Sequence, residues 1–428
     1  MLLHGQSILS ELDGMHTVAK GETWESIAAS HGISIDELRA ANPDVRKKKP
    51  KKGTLLIIPK PPVPEPIPVP EEPQPLIRTS MTDLKVGVLL PFSDKKMLEF
   101  YRGFLMAADS VRRGGTNIDI YAWDCGTTSS KIEPLLSELN GLDIVFGPSS
   151  PTQIPLVAEA CKTEGIRLVL PFWSGQALLD YPMTYNASAP NSIVYAAAVK
   201  KLMSYYPDRN FVIAHSGKAE EEGNNPGKTL VETLSRTLSE RQGNSRKLEI
   251  EGDDFAYEAA FNQFRDNMIV LDDSSVPSLN ILLSRLKDFL RKHPQYRVSL
   301  IGYTEWLEET EHLLDNLFAC DTYIITPYYY NVLDSRTDLF ERAYSSNFRT
   351  TVSRTSPRYA ALGYDLGCFF LSGLACLGDT FEQMNVSLRQ EPYQNWFNFE
   401  RDPSGLGFTN HFVQFVHFTK ENKIELIR

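Results

Sequence analysis

Residues 16–59 read HTVAKGETWESIAASHGISIDELRAANPDVRKKKPKKGTLLIIP, and no other part of the chain carries so dense a pattern. Thr23 and Ser34 each precede a segment with helical spacing of apolar residues, so both predict helix N-caps. Glu37, three residues after Ser34, completes the spacing of a capping box. A strand-type run opens the stretch at Val18, and another follows Gly53 and ends at Pro59. The stretch therefore predicts a small βααβ unit.

This unit resembles the lysin motif, LysM. The matching positions are His16-x-Val18, Gly21-Glu22-Thr23-Trp24, Ile27-Ala28, Gly32, Leu38, Asn42-Pro43, Gly53-x-Leu55 and Ile57-x-Pro59. The resemblance implies binding of N-acetylglucosamine-containing glycans, chiefly peptidoglycan, between the first strand–helix loop and the second helix–strand loop. The glycan-binding residues that it implies are Gly21, Glu22, Thr23, Trp24, Asn42, Pro43, Asp44 and Val45. The alternative is that these residues only shape turns, and for Trp24 we favour a place in the core.

Charge and cysteine content limit the partners and the structural sites that the chain can have. The 428-residue chain has a net charge of −10, which argues against nucleic acid as a general partner. Arg46–Lys52 is a local exception with six cations in seven residues. This run either forms a solvated loop or attracts anionic wall polymers. The five cysteines have no CxxC spacing, so neither a disulfide framework nor a zinc site is predicted.

Residues 60–78 divide the chain. They contain eight prolines between Pro61 and Pro75, which predict a semi-rigid polyproline II spacer. We expect a disordered N-terminus at 1–15, the LysM module at 16–59, a Pro-rich linker at 60–80 and a larger domain at 81–428.

The larger domain alternates strands and helices. Four strand–helix units between Leu84 and Leu170 predict a parallel sheet with helices on both faces, and a second series follows from Ile193. The expected fold class is α/β, with two doubly wound lobes that enclose a cleft. Lobe one is expected at about 82–188 and 330–380, and lobe two at about 189–329 and 390–428.

This arrangement resembles the type I periplasmic binding proteins. The resemblance rests on Lys85–Phe92, on Phe146-Gly147-Pro148-Ser149-Ser150, on Pro171-Phe172-Trp173-Ser174, and on Tyr359-x-x-Leu362-Gly363-Tyr364-Asp365. Ligands in open α/β sheets bind at the carboxyl ends of the strands. The cleft residues that this rule predicts are Ser149, Ser150, Thr152, Trp173, Ser174, Asp272, Ser274, Thr304 and Glu305. Hydroxyls beside a helix start suit an anionic group and Glu305 suits an ammonium, whereas strand-end capping is the alternative for each.

No catalytic pattern is found. The chain has no GxSxG, HExxH or P-loop sequence, and its eight histidines are scattered. We therefore expect a non-enzymatic protein without metal or cofactor. The leading hypothesis is a cell-envelope protein that binds peptidoglycan and presents a bilobed domain to a small zwitterionic or anionic ligand, or to a wall-synthesis or transporter protein. A solute receptor for an ABC-type transporter is the alternative, and a wall-lytic enzyme is disfavoured.

Location is a separate question. We find no run of about 18 apolar residues, so we predict no membrane span. The start MLLHGQSILSELDG has no signal-peptide pattern, although a wall-binding module must be exported. We expect a periplasmic or envelope location and a truncated start, with a cytoplasmic protein as the alternative.

Overall fold

A computed structural model describes residues 15–45, 49–59, 81–173, 175, 181–217, 225–383, 391–403 and 406–428. The chain forms two compact units, Met1–Ile77 and Arg78–Arg428. The predicted disordered residues 1–14 and the predicted linker 60–80 lie outside the described residues, as do Ser174 and 46–48 of the basic run. Met15, assigned to the disordered N-terminus, instead begins a strand.

The first unit has the predicted βααβ order. Its elements are β1 (Met15–Thr17), α1 (Trp24–Ser30), α2 (Ile35–Ala41) and β2 (Leu55–Ile57), with β1 and β2 antiparallel. Thr23 caps α1 by accepting the Ser26 N–H, and Ser34 forms the predicted capping box with Glu37. A small core of Val18, Trp24, Ile27, Ala28, Leu38 and Leu56 is buried between the helices and the hairpin.

The second unit begins with lobe one. Its elements in chain order are β3 (Asp83–Leu90), α3 (Lys95–Arg113), β4 (Asn117–Asp124), α4 (Ser129–Ile132), a 3-10 turn (Glu133–Leu139), β5 (Ile144–Phe146), α5 (Ile154–Glu164), β6 (Arg167–Leu170) and β7 (Thr184–Asn186). β3 is apolar at almost every position because both faces of its sheet are covered by helices.

Lobe two follows and repeats the alternation. Its elements are α6 (Asn191–Tyr205), β8 (Asn210–His215), α7 (Pro226–Glu240), β9 (Arg246–Glu249), α8 (Asp254–Ala260), β10 (Asn267–Leu271), α9 (Val276–Lys292), β11 (Val298–Tyr303), a 3-10 turn (Thr304–Leu307), α10 (Thr310–Ala319) and β12 (Thr322–Thr326). The chain then returns to lobe one as α11 (Ser335–Phe348), α12 (Tyr359–Leu377) and a 3-10 turn (Gly378–Gln383). Strands β13 (Phe399–Arg401), β14 (Phe408–Asn410), β15 (Gln414–Phe418) and β16 (Ile424–Ile427) complete the fold.

Each lobe contains one seven-stranded sheet. The strand order is β13-β14-β7-β6-β5-β3-β4 in lobe one and β16-β15-β12-β11-β10-β8-β9 in lobe two. All described pairs are parallel except β13–β14, β12–β15 and β15–β16. β15 and β16 form a C-terminal hairpin.

The assignment of 390–428 to lobe two requires a correction. β14 pairs with β7, so β13 and β14 extend the sheet of lobe one, and only β15 and β16 belong to lobe two. Strands of three residues carry too little periodicity to indicate their sheet, and the path of the chain between the lobes decides it.

α12 is the central helix of lobe one. It packs along α3, where Gly103 and Gly363 permit close approach: a Cβ at Gly363 would lie 2.0 Å from the Phe100 carbonyl oxygen. The segment Tyr359–Glu382 also has the length and hydropathy of a membrane span, which the sequence reading missed, but 78% of its most apolar window is buried in the protein. A core helix of this kind meets the same criteria.

Three crossings connect the lobes, after β7, after β12 and after β14. The buried side chain of Asn410 joins the first and third, since its amide donates to the Ala187 carbonyl and its oxygen accepts the Phe412 N–H. Tyr328, after β12, forms a β-bridge with Asn395. Asp365 of α12 accepts three backbone N–H bonds from Tyr393, Gln394 and Asn395, and so anchors this strip to lobe one.

Candidate functional site

The two predicted glycan loops present exposed residues in the first unit. Gly21 has a φ of +97° with open space around it, so it makes the turn before α1 and leaves the loop surface free. Thr23, Pro43 and Asp44 are exposed, and Val45 is half-buried against the core. These residues are available to a ligand.

Trp24 and Asn42 are not available to a ligand, which corrects their assignment as contact residues. Trp24 is 4% exposed and belongs to the core of the unit. Asn42 is buried, and its side chain bonds the Leu38 carbonyl and both the N–H and the carbonyl of Ile57. It therefore ties the end of α2 to β2 and supports the second loop from behind.

Glu22 has a positioning role in the first loop. Its carboxylate accepts the Ala19 N–H at 2.7 Å and contacts His16 Nε2 at 2.8 Å. These two bonds, that of Ala19 first, lower the pKa of Glu22. The carboxylate is thus held as an anion that fixes the turn at Gly21.

Nearby cations also favour the ionised form of Glu25. The pKa of Glu25, at the start of α1, is lowered chiefly by its own N–H and by the Thr23 hydroxyl, with smaller effects from Arg39 and Lys49. Lys49 belongs to the basic run in the second loop. A cation of that run therefore lies within electrostatic range of the first loop.

The lobe-one group of predicted cleft residues lies at the carboxyl ends of β5 and β6. The Ser150 hydroxyl donates to the Thr127 carbonyl at 2.9 Å and lies 3.1 Å from the Thr152 hydroxyl, which is itself 3.5 Å from that carbonyl. Both hydroxyls therefore point to the loop after β4. Trp173 is half-buried against the core of lobe one, and its ring lies over Gly175.

The lobe-two group lies at the carboxyl ends of β10 and β11. Asp272 is buried, and its carboxylate bonds His215 Nδ1 at 2.9 Å and the Ser216 N–H at 2.9 Å. The Ser274 carbonyl accepts the Trp306 indole N–H, and the Thr304 hydroxyl donates to the Ile325 carbonyl. Strand-end capping describes these three residues.

Glu305 differs from its neighbours because its side chain is exposed. Surrounding protein atoms nevertheless desolvate its carboxylate and raise its pKa, and repulsion from Glu308 adds to the effect. This combination fits a carboxylate that lines a recess and is open to solvent on one side. Of the predicted cleft residues, it is the most suitable for binding a cation.

Aromatic residues outside the predicted set lie near the two groups. Phe172 contacts Tyr359 of lobe one with ring centroids 6.0 Å apart. Tyr328, at the second crossing, has a pKa raised to about 12 by burial, with contributions from Glu308, Glu305 and Tyr359. Glu305 of lobe two and Tyr359 of lobe one are thus both within electrostatic range of Tyr328. Phe172 and Tyr359 both belong to the motifs that carry the resemblance to type I periplasmic binding proteins, so the sequence contained a signal for them.

Comparisons with known proteins agree with this description. Residues 16–59 match the family model described as LysM domain. No curated protein matches the chain in sequence. One similar solved structure is a branched-chain amino acid ABC transporter protein from Rhodospirillum rubrum, with 13% identity, a TM-score of 0.54, and coverage of 81% of this chain and 100% of that chain.

A second similar structure is a periplasmic ligand-binding protein of a branched-chain amino acid ABC transporter from Burkholderia xenovorans. It has 12% identity and a TM-score of 0.51, and the match covers 81% of this chain and 94% of that chain. Such identities establish the fold alone. The protein thus joins a LysM domain to a bilobed unit of the type I periplasmic-binding-protein fold.

Proposed function

We propose that this protein is a non-enzymatic component of the cell envelope that binds the glycan strands of peptidoglycan through its LysM domain. The LysM match over 16–59 carries the proposal, and the exposed loop residues Thr23, Pro43 and Asp44 support it. The bilobed unit then acts as a scaffold or regulator of wall metabolism. A periplasmic or envelope location follows from this function.

The test is co-sedimentation of the full chain with purified sacculi, with N-acetylglucosamine oligomers as competitor. The double variant Pro43→Ala/Asp44→Ala should lose most of the pelleted fraction, because it alters the exposed surface of the second loop. Asp36→Ala, an exposed change on α2, is the matched control. Equal pelleting of all three proteins, unaffected by competitor, would contradict the proposal.

A receptor for amino acids or similar small molecules is the second candidate, and Glu305 is the observation that favours it. The exposed carboxylate suits an ammonium group, and the two similar structures are of branched-chain amino acid transporter proteins. The hydroxyls of Ser150 and Thr152 are already engaged with each other and with the Thr127 carbonyl, which argues against a ready carboxylate clamp in lobe one. For this reason we rank the receptor second.

A thermal-shift screen of the full chain against amino acids separates the two candidates. A receptor requires a ligand that raises the unfolding midpoint, and Ser150→Ala and Glu305→Ala should each abolish that rise. Glu309→Ala, an exposed change four residues away that does not affect the pKa of Glu305, is the control for Glu305. If no amino acid shifts the midpoint, the scaffold function is retained and the receptor is rejected.

A further inference from the structure

Lobe two contains a polar cavity at the edge of its sheet opposite to the cleft. The cavity, of about 610 Å³, is lined at the amino ends of β8 and β9 by Asn210 and Arg246, and by the last turn of α7 and the loop before β10. The strands are parallel, so the cleft residues lie at their other ends. Its volume is in the range of small-molecule sites.

Two arginines give this cavity its charge. Arg246 and Arg265 both line it and are both exposed, and neither side chain forms an ion pair or hydrogen bond with any residue in the described part of the chain. In contrast, nearby Arg297 is paired with Asp266, and Arg241 donates to the Met203 carbonyl. No lining residue is acidic. Two unpaired arginines in a chain with a net charge of −10 are suited to an anion.

The loop that carries Arg265 is held by a buried hydrogen-bond network. Asn262 Oδ1 accepts the N–H groups of Phe264 and Arg265. Asn267, fully buried, accepts the Asn262 N–H at 2.7 Å and donates to the carbonyls of Asn262 and Arg265. The position of the Arg265 backbone is thus fixed before any ligand arrives, which lowers the entropy cost of binding.

The remaining surface has the chemistry of a sugar site. Ser235, Ser239, Asn244 and Ser245 line the cavity and offer hydroxyl and amide groups. Phe264 is not a lining residue, but it is 82% exposed and lies between the lining residues Asn262 and Arg265 in the same loop. An exposed aromatic ring near such a cavity can cover the apolar face of a sugar ring while the hydroxyl and amide groups bond its hydroxyls.

We propose that this lobe-two cavity binds a saccharide that carries a carboxylate or a phosphate. The oxyanion lies between Arg246 and Arg265, and the ring lies against Phe264. The site goes beyond the proposed function, because it is in the other compact unit from the LysM domain and does not depend on glycan binding there.

The test is titration calorimetry of the full chain with three probes: N-acetylmuramic acid for the carboxylate, N-acetylglucosamine 1-phosphate for the phosphate, and neutral N-acetylglucosamine. We expect at least one anionic probe to bind at least tenfold more tightly than the neutral sugar. The double variant Arg246→Gln/Arg265→Gln should lose that preference. Arg236→Gln, an exposed arginine of α7 outside the cavity, should keep it.

Two further results make the outcome decisive. Phe264→Ser should weaken the binding of the anionic sugar several-fold and leave the binding of inorganic phosphate unchanged. An equal effect on both would overturn the proposal that the ligand is a saccharide. The proposal fails if neither anionic probe is preferred, or if the double arginine variant retains the preference with an unchanged unfolding midpoint. Sacculus pelleting by that variant reports on the LysM function separately and should be unchanged.

Discussion

At the scale of single residues, backbone geometry and burial impose requirements that no sequence motif shows. Gly147 has a φ of +95°, and a Cβ there would lie 2.1 Å from the Leu89 carbonyl oxygen. The residue therefore brings β5 close to β3 immediately before the Ser149–Thr152 turn. Only a glycine satisfies both the positive φ and the close approach.

We expect Gly147→Ala to lower the free energy of unfolding of the bilobed unit by about 3 kcal/mol or more, because strain and a steric clash combine. Gly165→Ala is the matched control: its φ is +70°, but open space surrounds it, so about 1 kcal/mol is expected. Urea unfolding of both variants measures the difference. Equal losses would show that the close approach to Leu89 is unimportant.

Asp365 gives a prediction for pH dependence. Burial raises its pKa from 3.8 to about 7, against the opposing effects of three backbone N–H bonds and of Arg336. Because the folded pKa is raised, the unfolded chain loses this proton near pH 4 and the folded chain keeps it until about pH 7. The group's contribution to stability is therefore complete below pH 4 and is lost as pH rises to 7, by up to about 4 kcal/mol.

Asp365→Asn should remove that window. The unfolding midpoint of the wild type should fall, relative to that of the variant, between pH 4.5 and 7.5, as measured by calorimetry. Asp109→Asn, an exposed aspartate on α3, is the control and should leave the wild-type pH profile intact. Parallel profiles for wild type and Asp365→Asn would show that the buried carboxyl does not titrate there.

At the scale of elements, short segments depend on side chains that join them. The LysM helices have seven residues each, too short to be stable alone. Capping by Thr23 and Ser34 and the core around Trp24 therefore supply their stability. Asn42 adds the link between α2 and β2, and the Asn42-Pro43 sequence alone does not show that its side chain makes this link.

We expect Asn42→Ala to destabilise the LysM domain by about 2–3 kcal/mol, since it leaves the partly buried N–H and carbonyl of Ile57 without their side-chain partner. Hydrogen exchange should rise across 15–59, and sacculus pelleting should fall. The exchange of the bilobed unit should not change. Pro43→Ala, at an exposed neighbouring position, is the control for the exchange measurement. Unchanged exchange in Asn42→Ala would contradict the assigned role.

At the scale of the whole molecule, the distribution of charge matters more than its total. The chain carries a net charge of −10, yet Lys49, Lys51 and Lys52 are exposed beside the second glycan loop. Cations in this position attract anionic wall polymers locally, although the net negative charge of the protein repels those polymers. Exposed charges act through screened interactions, with a Debye length of about 8 Å at physiological salt.

Replacing Lys49, Lys51 and Lys52 with Gln should weaken sacculus binding at low salt and flatten its dependence on salt. The control replaces three exposed lysines elsewhere, Lys200, Lys247 and Lys423, with Gln, which makes the same change in net charge. Binding isotherms between low and physiological salt measure the slope. If both triple variants show the same slope, the basic run has no specific part in binding.

The sequence alone was sufficient for features that depend on local physics. The capping residues Thr23 and Ser34 and the apolar strand at β3 follow from side-chain chemistry and periodicity within a few residues, and the structure has them where predicted. The order of strands and helices likewise indicated two α/β lobes and their fold class. The periodic signals are strong because the apolar pattern repeats along a whole element.

Only the tertiary structure decided features that depend on distant partners. Three features require groups far apart in the chain to meet: the placement of β14 beside β7, the hydrogen bonds of Ser150 and Thr152 to Thr127, and the burial of Asn42 and Trp24. The cavity of Arg246 and Arg265 is of the same kind, since β9 and the loop before β10 contribute one arginine each. A sequence pattern reports which side chains are present, whereas the folded chain determines which of them remain free to bind.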